Sequence, residues 1–131
     1  MDNSTGFFIY GEELTFEPGK VIYNEGEIVE SKSIYYIKAG FVKVSYKLKN
    51  NSIFSHYLPS NTIFGIFDSI SSNVRLSSAM TVEKSYIYAW DLKGFDLAAQ
   101  ISWELAETSL RSLTHNLRVL NALYAEKVGI L

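Results

Sequence analysis

Ile34-Tyr35-Tyr36-Ile37-Lys38-Ala39-Gly40-Phe41-Val42-Lys43-Val44 is the stretch that decides the fold. β-Branched and aromatic residues fill both halves, and Ala39-Gly40 interrupts them. It therefore reads as two strands, Ser33–Ile37 and Phe41–Lys47, joined by a tight reversal. The same grammar repeats outward in both directions. Upstream, Leu14–Phe16 leads through Glu17-Pro18-Gly19-Lys20 into Val21–Tyr23, and Asn24-Glu25-Gly26-Glu27 turns again. Downstream, Lys49-Asn50-Asn51-Ser52 forms a hairpin tip, since asparagine tolerates positive φ. Ile53–Leu58 returns, Pro59-Ser60-Asn61 turns, and Ser77–Val82 and Ser85–Trp90 are the last strands. Short segments at this spacing predict a sandwich, jelly roll or barrel from Leu14 to Trp90.

The bulk properties bound the function. With 131 residues, 47% apolar and 20% charged, the chain is expected to be one soluble domain with a sizeable core. A formal charge of −2 and no block of Lys and Arg argue against this segment gripping nucleic acid by itself. The absence of cysteine excludes disulfides, iron–sulfur clusters and thiolate-ligated zinc, and makes a cytoplasmic setting the expectation. No apolar run reaches the roughly 18 residues of a membrane span, and no signal-peptide pattern opens the chain.

After Trp90 the periodicity changes. Asp91 is a suitable N-cap for a short helix through Phe95–Gln100. From Trp103 a 3,4 spacing begins: Trp103, Ala106, Leu110, Leu113, Leu117, Leu120, Tyr124. Placing Leu110 at a and Leu113 at d puts all seven on one heptad seam. Leu105, Val119 and Leu123 lie off it, so the helix has apolar surface for two partners, its own domain and a second helix. The expectation is a homodimer through Leu110, Leu113, Leu117, Leu120 and Tyr124. The alternative is an amphipathic helix packed only on its own domain.

The chain resembles the sensor domain of Crp/Fnr-type (catabolite-activator class) bacterial transcription regulators, within the cyclic nucleotide-binding domain superfamily. Phe16-Glu17-Pro18-Gly19-Lys20-Val21-Ile22 is similar to the family's opening strand, and Glu25-Gly26 to the turn after it. Residues Ile34 to Val44 resemble the family's Y-x-I-x-x-G-x-V-x-V strand pair, and Pro59 followed by Phe64-Gly65 resembles its next segment, P-G-x-x-F-G-E. The resemblance implies a mainly β fold: a double-stranded β-helix (jelly roll) over about 12–91, with short flanking helices. Helices over about 92–128 would complete one sensor domain spanning 1–131, the long C-terminal one serving dimerisation. The family's helix-turn-helix domain is not found in this sequence, which reads as an excised sensor domain or a truncated chain. DNA would be reached only through that separate domain.

The resemblance also implies a ligand cassette: Phe-Gly-Glu, then nine or ten residues, then Arg and small residues. Glycine lets backbone N–H groups approach a phosphate, arginine pairs with it, and the glutamate takes the ribose 2′-hydroxyl. Here Phe64-Gly65 is followed by Ile66, and Arg75 comes nine residues later, with Ser77 and Ser78 after it. Arg75 reads either as a phosphate-pairing residue or as a solvated loop arginine. Ile66 cannot accept the 2′-hydroxyl bond and would face ribose oxygens with hydrocarbon, at a cost of roughly 1–3 kcal/mol. Asp68 sits two positions along, expected on the opposite side of a short turn. The family's base-reading Thr-Ser pair falls on Tyr124-Ala125 in one register and on Leu120-Asn121 in another, and neither keeps both hydroxyls.

The candidate ligand-binding residues are thus Phe64, Gly65, Ile66, Arg75, Ser77, Ser78, Asn121 and Tyr124. The pocket is expected to discriminate against cyclic purine monophosphates and to take a different small molecule, anionic if Arg75 faces inward, or none. His56 in a strand and His115 at a solvent-facing heptad position form no metal set. No catalytic motif and no cofactor signature is present. The expected role is effector sensing, not catalysis; the competing one is a ligand-free module for dimerisation or protein contact.

Overall fold

The computed structural model describes residues 8–71 and 73–128, with the backbone alone for residue 71 and for 123–128. Eight strands come first: β1 (Gly11–Phe16), β2 (Val21–Tyr23), β3 (Lys32–Ala39), β4 (Phe41–Lys47), β5 (Ile53–Pro59), β6 (Ile63–Phe64), β7 (Ser78–Thr81) and β8 (Ser85–Asp91). A one-and-a-half-turn helix, α1 (Ile66–Ser71), interrupts them after β6; α2 (Leu92–Ile101) and α3 (Trp103–Val128) follow. The strands pair antiparallel in two four-stranded sheets, β1-β8-β3-β6 and β2-β7-β4-β5. This is the mainly β jelly-roll fold with a long C-terminal helix that the sequence led us to expect.

The two sheets face each other across a core of Tyr23, Tyr35, Ile37, Val42, Val44, Leu58, Phe64, Ala79, Ile87 and Ala89. Side chains of a strand alternate between faces, and the first sheet is covered on both. Tyr35 and Ile37 of β3 enter the inter-sheet core, whereas Ile34, with Tyr36 beside it, enters a second core under the helices. β8 repeats the division, with Ile87 and Ala89 inside, Tyr88 and Trp90 under α2 and α3. That is why these strands read as continuous apolar runs, while β4 alternates Val42, Lys43, Val44, Ser45 between buried and half-buried.

Local chemistry fixes the joints. Gly40 between β3 and β4 adopts φ +135°, and a Cβ there would lie 2.2 Å from Ser85 Oγ. Asp91 caps α2 by accepting from the Gly94 N–H at 2.6 Å. The indole N–H of Trp90, wholly buried, donates to Ile9 O at 2.9 Å. The heptad seam of α3 splits. Leu113 packs on the second core and Leu120 is half-buried, whereas Trp103, Leu110 and Leu117 are 76%, 66% and 64% exposed. Fully buried Leu105, off the seam, anchors the helix instead. The side chain of Tyr124 lies outside the described residues.

Candidate ligand-binding site

A cavity of about 110 Å³ opens between the β6–α1 cassette, the inner face of β4 and β5, and α3. The cassette supplies Phe64, Gly65, Ile66 and Asp68; the sheet supplies Val44, Tyr46, His56 and Leu58; the helix supplies Ser112, Leu113, Asn116 and Leu120. The antiparallel register explains the sheet wall. Val44 pairs with His56 and Tyr46 with Phe54, so alternate residues of both strands point to one side. Their rings gather there, with centroids 5.9 Å apart for Tyr46–His56 and 6.1 Å for Phe54–His56.

Gly65 makes the cassette possible. Its φ is +88°, and a Cβ would sit 2.3 Å from Ser33 O and 3.1 Å from Arg75 Nη1. The α1 turn that follows is held to β3 by paired hydroxyls, Ser33 and Ser69 at 2.6 Å, and Ser69 donates to Gly65 O at 2.8 Å. Arg75 is positioned by its own backbone. Its N–H donates to Glu27 O at 2.8 Å, and its carbonyl accepts from Gly26 N–H at 2.9 Å. The turn at Glu25-Gly26 therefore aims the arginine inward.

Arg75 is 1% exposed, so the solvated-loop alternative is wrong. Its guanidinium lies 3.9 Å from the centre of the Tyr23 ring and 5.8 Å from that of Tyr35, donates to Ser33 O at 3.1 Å, and pairs with Asp68 Oδ2 at 3.5 Å. Asp68 is likewise buried. The expectation that it would point to the opposite side of a turn is corrected: residues 66–71 form a helix, which swings the carboxylate over the guanidinium. Burial pushes the Asp68 carboxyl up from its ordinary value, against the opposing pull of Arg75 and a backbone hydrogen bond at Leu76. Burial likewise raises the Tyr23 phenol, again opposed by Arg75.

The candidate residues separate into three groups. Phe64, Gly65, Ile66 and Ser77 line the cavity. Arg75 stands behind Asp68 and is not part of the wall. Ser78 and Asn121 lie outside it: Ser78 Oγ accepts from the Glu25 N–H at 2.9 Å, securing the turn, and Asn121 is exposed. Ile66 is 4% exposed and belongs to the core under the helices, so its side chain is packed as well as cavity-facing.

Sequence reasoning passed over His56 as a site residue. Both its ring nitrogens are buried without a hydrogen-bond partner among the described residues. Burial lowers its pKa, and the neighbouring His115 lowers it further. Close by, Tyr46 donates to Asn116 Oδ1 at 3.4 Å, joining β4 to α3. His115 is exposed as expected, yet it borders the same cavity. The signal for His56 was there: a histidine at an inward position of a strand otherwise filled by Phe54 and Leu58. Among the described residues no group of acids and histidines could hold a metal ion.

The arrangement is thus a β-roll whose cavity lies between a glycine-cornered cassette and a long helix, with a buried arginine behind the cassette's acid. The family model of the cyclic nucleotide-binding domain matches residues 13–100, and the chain belongs to that family. The fold is shared with the catabolite activator protein of Thermus thermophilus (TM-score 0.76, 17% identity, 97% of this chain and 59% of that one). A transcriptional regulator from Thermotoga maritima is similar at TM-score 0.73 and 16% identity over 95% and 96% of the two chains. The c-di-GMP-responsive global regulator of Xanthomonas campestris is similar at 0.70 and 14%, over 93% and 63%. This chain thus spans about three fifths of the catabolite activator's length. No curated protein matches the sequence significantly. No helix among the described residues is long and apolar enough to cross a membrane.

Proposed function

We propose that this domain is the effector-sensing and dimerising part of a Crp/Fnr-type transcription regulator, acting in the cytoplasm through a degenerate cyclic nucleotide pocket. One observation supports the reading above the others: α3 bears two surfaces. Its inner face, with Ser112, Leu113, Asn116 and Leu120, walls the cavity, while Trp103, Leu110 and Leu117 stand exposed at seven-residue intervals. Such a stripe on a long helix fits a partner helix of the same kind. A ligand that favours one seating of the inner face would bias how two outer stripes pair. That bias would re-aim a DNA-binding module outside these residues.

The role read here is regulatory rather than catalytic, in keeping with the family to which the chain belongs. Sedimentation equilibrium tests the dimer. The wild type is expected to be a dimer, and Leu110→Glu with Leu117→Glu a folded monomer; a wild type that stays monomeric at high concentration rejects it. A second reading has its own support. Ile66 is packed in the core, and the cavity is far below the roughly 300 Å³ of ordinary ligand pockets. The domain would then be a ligand-free module for dimerisation or protein contact, and small molecules would leave its melting temperature unmoved.

A further inference from the structure

The cassette arginine already has an anion. Arg75 pairs with Asp68 at 3.5 Å, both side chains are almost wholly buried, and Tyr23 and Ser33 O take up the rest of the guanidinium. The carboxylate, not the guanidinium, lies in the cavity wall. A phosphate entering from the cavity would meet a carboxylate first, and like charges at close range disfavour each other. The pair as a whole is neutral, so it attracts neither sign strongly. The remainder of the wall is mainly apolar and aromatic, with Ser77, Ser112 and Asn116 among its few polar side chains. At about 110 Å³ the space is on the scale of the roughly 150 Å³ apolar cavity that admits benzene.

We propose that Asp68 stands where a ligand phosphate would, as a resident counter-ion of Arg75, and that the cavity takes a small uncharged molecule with one hydrogen-bonding group. This rests on the cavity being the effector site, and it deepens that reading by naming the ligand class. Asp68 is then the residue that sets specificity, because it excludes anions even if the missing ribose contact were restored.

Two probes that share a ring test it: phenol, uncharged, and phenyl phosphate. In titrations followed by calorimetry, the wild type should favour phenol by about tenfold or more, and Asp68→Ala should reverse the order. Installing Ile66→Glu alone should leave cyclic AMP unbound. Phenyl phosphate equal to or ahead of phenol in the wild type overturns the proposal, as does an Asp68→Ala protein that gains nothing for phenyl phosphate. If Asp68→Ala does not fold, Asp68→Asn carries the same comparison, and the wild-type order alone remains decisive. A wild type that dimerises through α3 yet favours phenyl phosphate sinks this inference and keeps the sensor reading. A monomer that binds neither ring sinks the sensor reading itself.

Discussion

The two ends of the cavity are built on opposite principles. At the cassette end, every strong polar group has a partner: Arg75 with Asp68, Ser33 O and the Tyr23 ring, Ser69 with Ser33 and Gly65 O. At the other end, under β4 and β5, Tyr46 reaches Asn116 through a long hydrogen bond, and His56 makes none among the described residues. The first end is closed electrostatically; the second encloses an imidazole with no hydrogen-bond partner among the described residues. Under the proposal above, the family cassette keeps its arginine while ligand contact falls to a different wall.

The comparison is broken most forcefully at Arg75. Arg75→Met leaves the Asp68 carboxylate buried and unpaired, and should cost about 3–5 kcal/mol in urea denaturation. Arg75→Met combined with Asp68→Leu should recover much of that loss, because both charges are gone. Equal losses in the single and double variants would mean that the pair is not a unit. Next comes Gly65→Ala. The new Cβ must both adopt φ +88° and displace Ser33 O, so a loss of about 2 kcal/mol or more is expected from thermal unfolding. At the β4 and β5 end, effects should be smaller. Tyr46→Phe removes the partly buried, 3.4 Å hydrogen bond to Asn116 along with the contact to Ser77, and should cost about 1 kcal/mol.

His56 sharpens the comparison through pH. Its folded-state pKa lies below the ordinary 6.5, so the unfolded chain binds a proton first as the pH falls. Its contribution to stability is therefore complete above 6.5 and is lost progressively on acidification below it. Asp68 acts in the opposite sense and at lower pH: its raised pKa makes the folded state the better proton acceptor just above 3.8. Urea midpoints measured between about pH 7.5 and 5.5 should decline less steeply in His56→Phe than in the wild type. An identical slope in both would show that His56 titrates as it does in the unfolded chain.

Much of the architecture was legible beforehand, because strands and turns declare themselves locally. Ser33–Ile37 and Phe41–Lys47 alternate or run apolar as their covered faces demand, and Asp91 marks a helix start. β6 and α1 were not legible. Two residues, Ile63–Phe64, are too short to show a period, and α1 is a single and a half turns of mixed composition. The cassette itself was found, but the state of its arginine was not. Arg75 is held from Asp68, seven positions away, and from Ser33, forty-two positions away, so no local pattern reveals the pairing. The heptad spacing of α3 likewise shows that two apolar stripes exist without saying that Leu113 and Leu120 turn inward while Leu110 and Leu117 face out.

One bond between the roll and α3 has a mechanical meaning. The Ile63 N–H donates to Ser112 Oγ at 3.0 Å, tying the strand that leads into the cassette directly to the middle of the long helix. Neither can shift by a helical step without severing that tether. Deuterium uptake at the Ile63 amide is therefore a built-in gauge: slow while the two parts are coupled, fast once the helix has let go.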